Sequence, residues 1–171
     1  MEEINRIEHS RYVLNRFDHY IEGANSKGNF LLAFSAFTLG FIASNFNHII
    51  KFNSCNSKNV TTILLVLILI LGILSIGFTI AAVYPFLKTN NSSSKKYHSL
   101  IFFNSIADMS EEDFLTQYKE QKEKKMSKDI AKQIYAISKG LKTKYNRIRL
   151  SILFVFAQLF LFLLIVIIKV V

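Results

Sequence analysis

Three apolar stretches, at 29–50, 60–83 and 150–171, set the limits on what this chain can fold into. The second runs from Val60 to Val83 without a charge, and the third carries a single one, Lys169. A helix crosses a hydrocarbon core about 30 Å thick with about 20 apolar residues, and each stretch reaches that length. A chain of 171 residues has too little remaining mass to cover three such helices from water. The expected fold class is all-α, an integral membrane helical bundle with three transmembrane helices, two of them continuous with cytosolic helices.

The expected organisation follows the spans. Residues 1–28 form a cytosolic amphipathic helix and hinge, 29–50 the first span, and 51–59 an outer loop. Residues 60–87 form the second span and its exit, 88–149 a basic helical insert, and 150–171 the third span. The insert holds 14 of the 21 lysines and arginines, whereas the loop 51–59 holds only Lys51 and Lys58. Positive residues stay on the cytosolic side, so the N-terminus and insert are placed in the cytosol and the C-terminus outside. The opening Met-Glu-Glu lacks a basic leader region, so no cleaved signal peptide is expected. The single cysteine, Cys55, allows no internal disulfide and no cysteine-based metal site.

A net charge of +9 fits two readings. Lysines and arginines set topology and meet anionic lipid heads, or the basic insert receives a small anion. A nucleic-acid polymer is not expected, because Glu111, Glu112, Asp113, Glu120 and Glu123 interrupt the basic surface.

Helical periodicity carries the cytosolic segments. Ile4, Ile7, Leu14, Phe17 and Ile21 share one stripe of a helix over 3–24. The segment Gly23 to Gly28 then interrupts the pattern, either as a hinge or as a plain connector. A helix is expected over 96–108. Ser110 with Asp113 predicts a capped helix running to about Lys124. Ile130, Ile134, Ile137, Leu141, Tyr145 and Ile148 predict one helix over 128–170, continuous with the third span.

The first span has three faces. Ala33, Ala36, Gly40, Ala43 and Asn47 form a small face that permits close helix approach. Phe30, Phe34, Phe37 and Phe41 form a bulky one, and Ser35, Thr38, Asn45 and His48 a polar arc. Gln158 adds a polar group near the middle of the third span. Buried polar groups in hydrocarbon need partners. Those partners lie either within one chain or across the interface of a homo-oligomer, so Ala36, Gly40, Ser35, Thr38, Asn45 and Gln158 are candidates for membrane packing or a pore.

No catalytic constellation is found. The sequence lacks a glycine-rich phosphate loop, His-Glu-x-x-His and Gly-x-Ser-x-Gly. His9, His19, His48 and His98 have no metal-ligand spacing. An enzyme, a metal and a cofactor are not expected.

Specific strings remain. They are Asn25-Ser26-Lys27-Gly28-Asn29-Phe30-Leu31-Leu32 at the entry to the first span and Tyr84-Pro85-Phe86 at the exit of the second. Tyr97 to Ile106 follows, and then Asp129-Ile130, Gln133-Ile134, Ile137-Ser138-Lys139 and Lys144-Tyr145. In these, over about residues 10–165, the chain resembles the transmembrane effectors of the Pycsar antiphage systems. The resemblance implies a bacterial inner-membrane effector. It would be activated by a cyclic pyrimidine mononucleotide (cCMP or cUMP) and would impair membrane integrity to abort infection. A ligand of that kind carries one negative charge, so Lys27, Lys88, Lys139 and Lys144 are candidate contacts and Tyr97 or Tyr145 a stacking platform. Asn25 and Tyr84 join them from the matched strings. Two other readings stay open: a membrane anchor recruiting a soluble partner through its cytosolic helices, and a pore-forming toxin that needs no ligand.

Overall fold

The computed structural model describes residues 2–51, 55–84 and 99–170. Five helices account for most of them: α1 (Glu2–Lys51), α2 (Cys55–Val83), α3 (Phe103–Ala107), α4 (Glu111–Lys119) and α5 (Glu123–Val170). No strand occurs among the described residues. Three helices, α1, α2 and α5, are long and apolar enough to cross a membrane.

The expected break at Gly23–Gly28 is absent, and α1 runs through it as one helix of 50 residues. No proline removes a backbone donor there, and an isolated glycine costs a helix only about 1 kcal/mol. The glycines also differ from each other. A Cβ on Gly23 would meet nothing within 4 Å, whereas one on Gly28 would lie 2.5 Å from Val83 Cγ2. Gly28 is a close-approach residue for α2 and not a hinge.

Three further boundaries move. The loop expected over 51–59 is shorter, because α1 reaches Lys51 and α2 already begins at Cys55. The helix beginning after Ser110 ends at Lys119, and α5 begins at Glu123, five residues before the expected start. Ser110 does cap α4: its hydroxyl accepts from the Asp113 backbone N–H at 3.1 Å. Of the helix expected over 96–108, only Phe103–Ala107 is helical among the described residues.

The chain divides into two compact units, Met1–Glu22 with Pro85–Lys142 and Gly23–Tyr84 with Thr143–Val171. The second unit holds the apolar parts of α1, α2 and α5. Its core has two apolar layers. Ala24, Leu31, Ala82 and Ile148 form one, and Ile42, Leu65, Ile68 and Ile165 form the other.

A polar layer lies between them, with one serine from each helix. Ser35 Oγ lies 3.1 Å from Ser75 Oγ, and Ser75 Oγ lies 2.8 Å from Ser151 Oγ. Ser151 Oγ also donates to the Ser75 carbonyl at 3.0 Å, and Thr79 Oγ1 to the same carbonyl at 2.8 Å. All four side chains are fully buried. Hydrocarbon offers no alternative partner to a hydroxyl, so such bonds tie spanning helices together.

The first unit is held by a knot of hydrogen bonds around Asp129, a buried carboxylate on α5. Its Oδ2 accepts from Ser99 Oγ at 3.1 Å and from the Leu100 backbone N–H at 3.0 Å. Ser99 Oγ in turn accepts from the N–H groups of Ile101 and Phe102, and from Gln133 Nε2 at 3.0 Å. Those backbone donors are committed to side-chain oxygens, which is why residues 99–102 do not continue as helix.

Candidate functional site

Within the apolar unit, α1 and α5 meet at one end through two pairs of side chains that sequence reasoning singled out. Ala24 and Gly28 face the bundle interior and are buried, which leaves Asn25 and Lys27 along the flank of the same turn. On α5, Ile148 and Ser151 are buried in the bundle, which sets Lys144 and Tyr145 one turn earlier on the adjoining surface.

The first pair is Lys144 Nζ donating to Asn25 Oδ1 at 2.6 Å. Both residues are half-buried. Desolvation lowers the Lys144 pKa from its ordinary value of 10.5, because a partly buried ammonium loses hydration that a neutral amide oxygen replaces only in part. The second pair is Lys27 Nζ, 6.0 Å from the centre of the Tyr145 ring. That is the outer edge of cation–π range. Lys27 itself is exposed. Close by, Arg147 Nη1 donates to the Ala81 carbonyl in the last turn of α2, leaving it near the helix C-terminus.

The arrangement presents two ammonium groups, an amide and an aromatic face on adjoining turns of two helices. No carboxylate partners Lys144 or Lys27 among the described residues. A phosphate oxygen could replace Asn25 Oδ1 at Lys144, and charge-assisted bonds of that kind are about twice as strong as neutral ones.

The other candidates fall elsewhere. Tyr84 lies at the end of α2 with 70% exposure. Lys139 belongs to the other unit, where it stands 5.2 Å over the ring of Tyr135. Lys88 and Tyr97 lie outside the described residues. Among the described residues no group of histidines, cysteines and carboxylates could hold a metal ion.

The packing candidates also separate. Ser35 joins the polar layer. Thr38 donates to the Ser35 carbonyl and Asn45 to the Phe41 carbonyl, both within α1. Gln158 Nε2 donates to the Ile68 carbonyl at 3.0 Å. Ala33, Ala36, Gly40, Ala43 and Asn47 are all exposed, so the small face of α1 is not covered by the other described residues.

Sequence reasoning missed Ser75, Thr79 and Ser151, which complete the polar layer, and the part played by Asp129. The available signal for the layer was that every apolar run carries at least one hydroxyl residue, Ser151 being the single one in the third. For Asp129 it was a carboxylate directly beside Ile130, which belongs to the buried stripe.

A model of the Pycsar effector protein domain, PycTM, matches residues 9–170. The chain is 32% identical over 132 residues to the Pycsar effector protein SaPycTM of Staphylococcus aureus, covering 77% of this chain and 76% of that protein. No solved structure matches. The matched region includes Asn25, Lys27, Lys144, Tyr145 and all three apolar helices, and the chain belongs to the Pycsar effector family of antiphage-defence membrane proteins.

Proposed function

We propose that this chain is a ligand-switched effector of the inner membrane, activated by a cyclic pyrimidine mononucleotide, cCMP or cUMP. On activation it impairs membrane integrity and aborts infection, without catalysing a reaction. Its N-terminus and basic insert face the cytosol and its C-terminus faces outward. The nucleotide's phosphate takes the place of Asn25 Oδ1 at Lys144 and also meets Lys27, while the base stacks on Tyr145.

The observation that carries this reading is the state of Lys144. It is a half-buried ammonium with its pKa lowered by desolvation, held by a single neutral oxygen at 2.6 Å. A monoanionic phosphate supplies the charge that this site lacks. Ligand shifts the equilibrium only by binding the active arrangement more tightly. α1 and α5 each contribute to both units without interruption, so a change at residues 25–27 or 144–145 acts on helices that also form the spans. The exposed small face of α1 supports homo-oligomer formation in the active state, since such faces allow helices to approach closely in lipid.

The test is membrane depolarisation in cells expressing the chain with and without a co-expressed pyrimidine cyclase. Depolarisation that requires the cyclase, and is lost in Lys144→Ala, supports the reading. Depolarisation without any cyclase points to an unrestrained pore. No response under either condition points to an anchor.

A further inference from the structure

We propose that neighbouring copies of this chain join side by side, with the outer face of α1 in one copy against the outer face of α5 in the next. This contact rests on the homo-oligomer reading above, needs no nucleotide pocket, and supplies the partner for the exposed face of α1.

Within each unit, α1 and α5 hold a common level. In the first unit they share a groove lined by Arg6 and Ser10 of α1 and by Ser127 and Ala131 of α5. In the second, Asn25 meets Lys144, 119 positions later, and Lys27 stands over Tyr145. Copies inserted in one membrane share orientation and depth. What is level within a copy is therefore level between copies.

Two rows of outward side chains match at those levels. In the first unit Glu8 is level with Lys128 and Glu22 with Lys142, and all four are exposed. Glu8, Lys128 and Lys142 form no ion pair among the described residues. Glu22 lies 3.8 Å from the exposed His19 of its own helix. Arg11, the cation between the two glutamates, falls level with Ala131 and so opposes no lysine. In the second unit Asn29 is level with Arg149 at the edge of the apolar run, both exposed. Beyond them α1 shows Ala33, Ala36, Gly40 and Ala43, and α5 shows Leu153, Phe156, Phe160 and Leu163. Both rows step by three and four residues in the same order, so every small residue stands opposite a bulky one. Such steps form the seam along which helices pack knobs into holes, and small residues let the backbones approach in lipid.

The charges decide which faces meet. Two α1 rows in contact would set Glu8 against Glu8 and Glu22 against Glu22, and two α5 rows would set lysine against lysine. Like charges so juxtaposed are repulsive. Lipid tails suit the apolar half of the rows and not the charged half, and a soluble protein reaches only the charged half. A second copy supplies both halves in register. The contact joins unlike faces, so it is repeated from copy to copy and closes into a ring where the rotation allows.

The experiment uses the full chain with Cys55→Ser, in membranes of cells with and without a co-expressed pyrimidine cyclase. One tagged copy carries Asn29→Cys and a differently tagged copy carries Arg149→Cys, and the thiols are oxidised. A disulfide between positions 29 and 149 is expected when the two are mixed, and no dimer when either is expressed alone. Glu8→Lys with Glu22→Lys in the first copy should lower the yield about tenfold, two surface ion pairs being turned repulsive. Lys128→Glu with Lys142→Glu in the second copy should restore it, which a merely misfolded chain would not allow. A mixed disulfide that forms equally without the cyclase supports the contact and counts against nucleotide gating. A link between two copies of position 29 as strong as the mixed one overturns the contact and leaves a homo-oligomer. A yield indifferent to the charge reversals also overturns it. Absence of every link, with and without the cyclase, overturns both the contact and the homo-oligomer reading.

Discussion

Ser75 and Ser151 engage each other from both sides: their hydroxyls lie 2.8 Å apart, Ser151 Oγ donates to the Ser75 backbone carbonyl at 3.0 Å, and Ser75 Oγ lies 3.4 Å from the Ser151 carbonyl. This tie joins α2 to α5, and the Ser35 hydroxyl 3.1 Å from Ser75 brings in α1. Replacing one member leaves the others with unmet donors or acceptors in an apolar surrounding. Ser75→Ala and Ser151→Ala should each lower stability by about 1 kcal/mol, and the double variant should cost less than their sum. Reversible unfolding in mixed detergent, run as a double-mutant cycle, measures this. An additive pair would mean the hydroxyls are not coupled.

Gly28 and Gly23 should respond in opposite ways to alanine. At Gly28 the new methyl would meet Val83, whose branched side chain turns only with difficulty. Gly28→Ala should destabilise by about 1–3 kcal/mol, with recovery in the Gly28→Ala, Val83→Ala double variant. Gly23 has open space around it, so Gly23→Ala should stabilise α1 by about 0.5–1 kcal/mol. Thermal unfolding followed by helical circular dichroism distinguishes the two.

Lys144 should give ligand binding an unusual alkaline limit. Its pKa in the folded chain lies below the ordinary 10.5. Between that lowered value and 10.5 the unfolded chain binds more protons, so stability rises with pH across the window and the full penalty applies below it. Phosphate affinity runs the other way. It requires the charged ammonium, so it should fall as pH climbs through the lowered pKa, earlier than an ordinary lysine would allow. Lys144→Arg should hold affinity flat to about pH 10, since arginine stays charged. A calorimetric series with the cyclic nucleotide at rising pH reads both curves.

Asp129→Ala should loosen the segment at 99–102 selectively. The Leu100 N–H and the Ser99 hydroxyl would both lose their acceptor, at a cost of about 1–3 kcal/mol for groups left unpaired. Hydrogen exchange should accelerate at Leu100 and leave the amides of the polar layer in the spans unchanged. Equal acceleration in both regions would mean that Asp129 supports the whole chain instead of one turn.

The parts of this fold that were legible in the sequence are those set by local rules. A bilayer demands a fixed length of apolar helix, so the three spanning segments could be placed from hydropathy alone. Ser110 caps α4 through a bond to Asp113, three residues away, and that spacing is visible in the chain. What escaped depends on distant residues. Gly28 reads as a helix breaker until Val83 is known to pack on it. Ser99 reads as part of a helix until Asp129, 30 residues later, is seen to claim its hydroxyl. The candidate site was legible in part for the same reason. Lys144 and Asn25 could be named as candidate contacts, one from its charge and one from a matched string, but their contact spans 119 positions and no local pattern announces it.

The unbroken course of α5 restricts how this protein can move. A helix of 48 residues, about 72 Å long and without proline, bends only gently. Turning it by one residue's worth, 100° of arc, would carry Ser151 out of register with Ser75 and swing Gln158 away from Ile68 in the same stroke. The bonds that α5 makes to α2 are thus geared to a single shaft, while the Ser35–Ser75 tie between α1 and α2 stands apart from it.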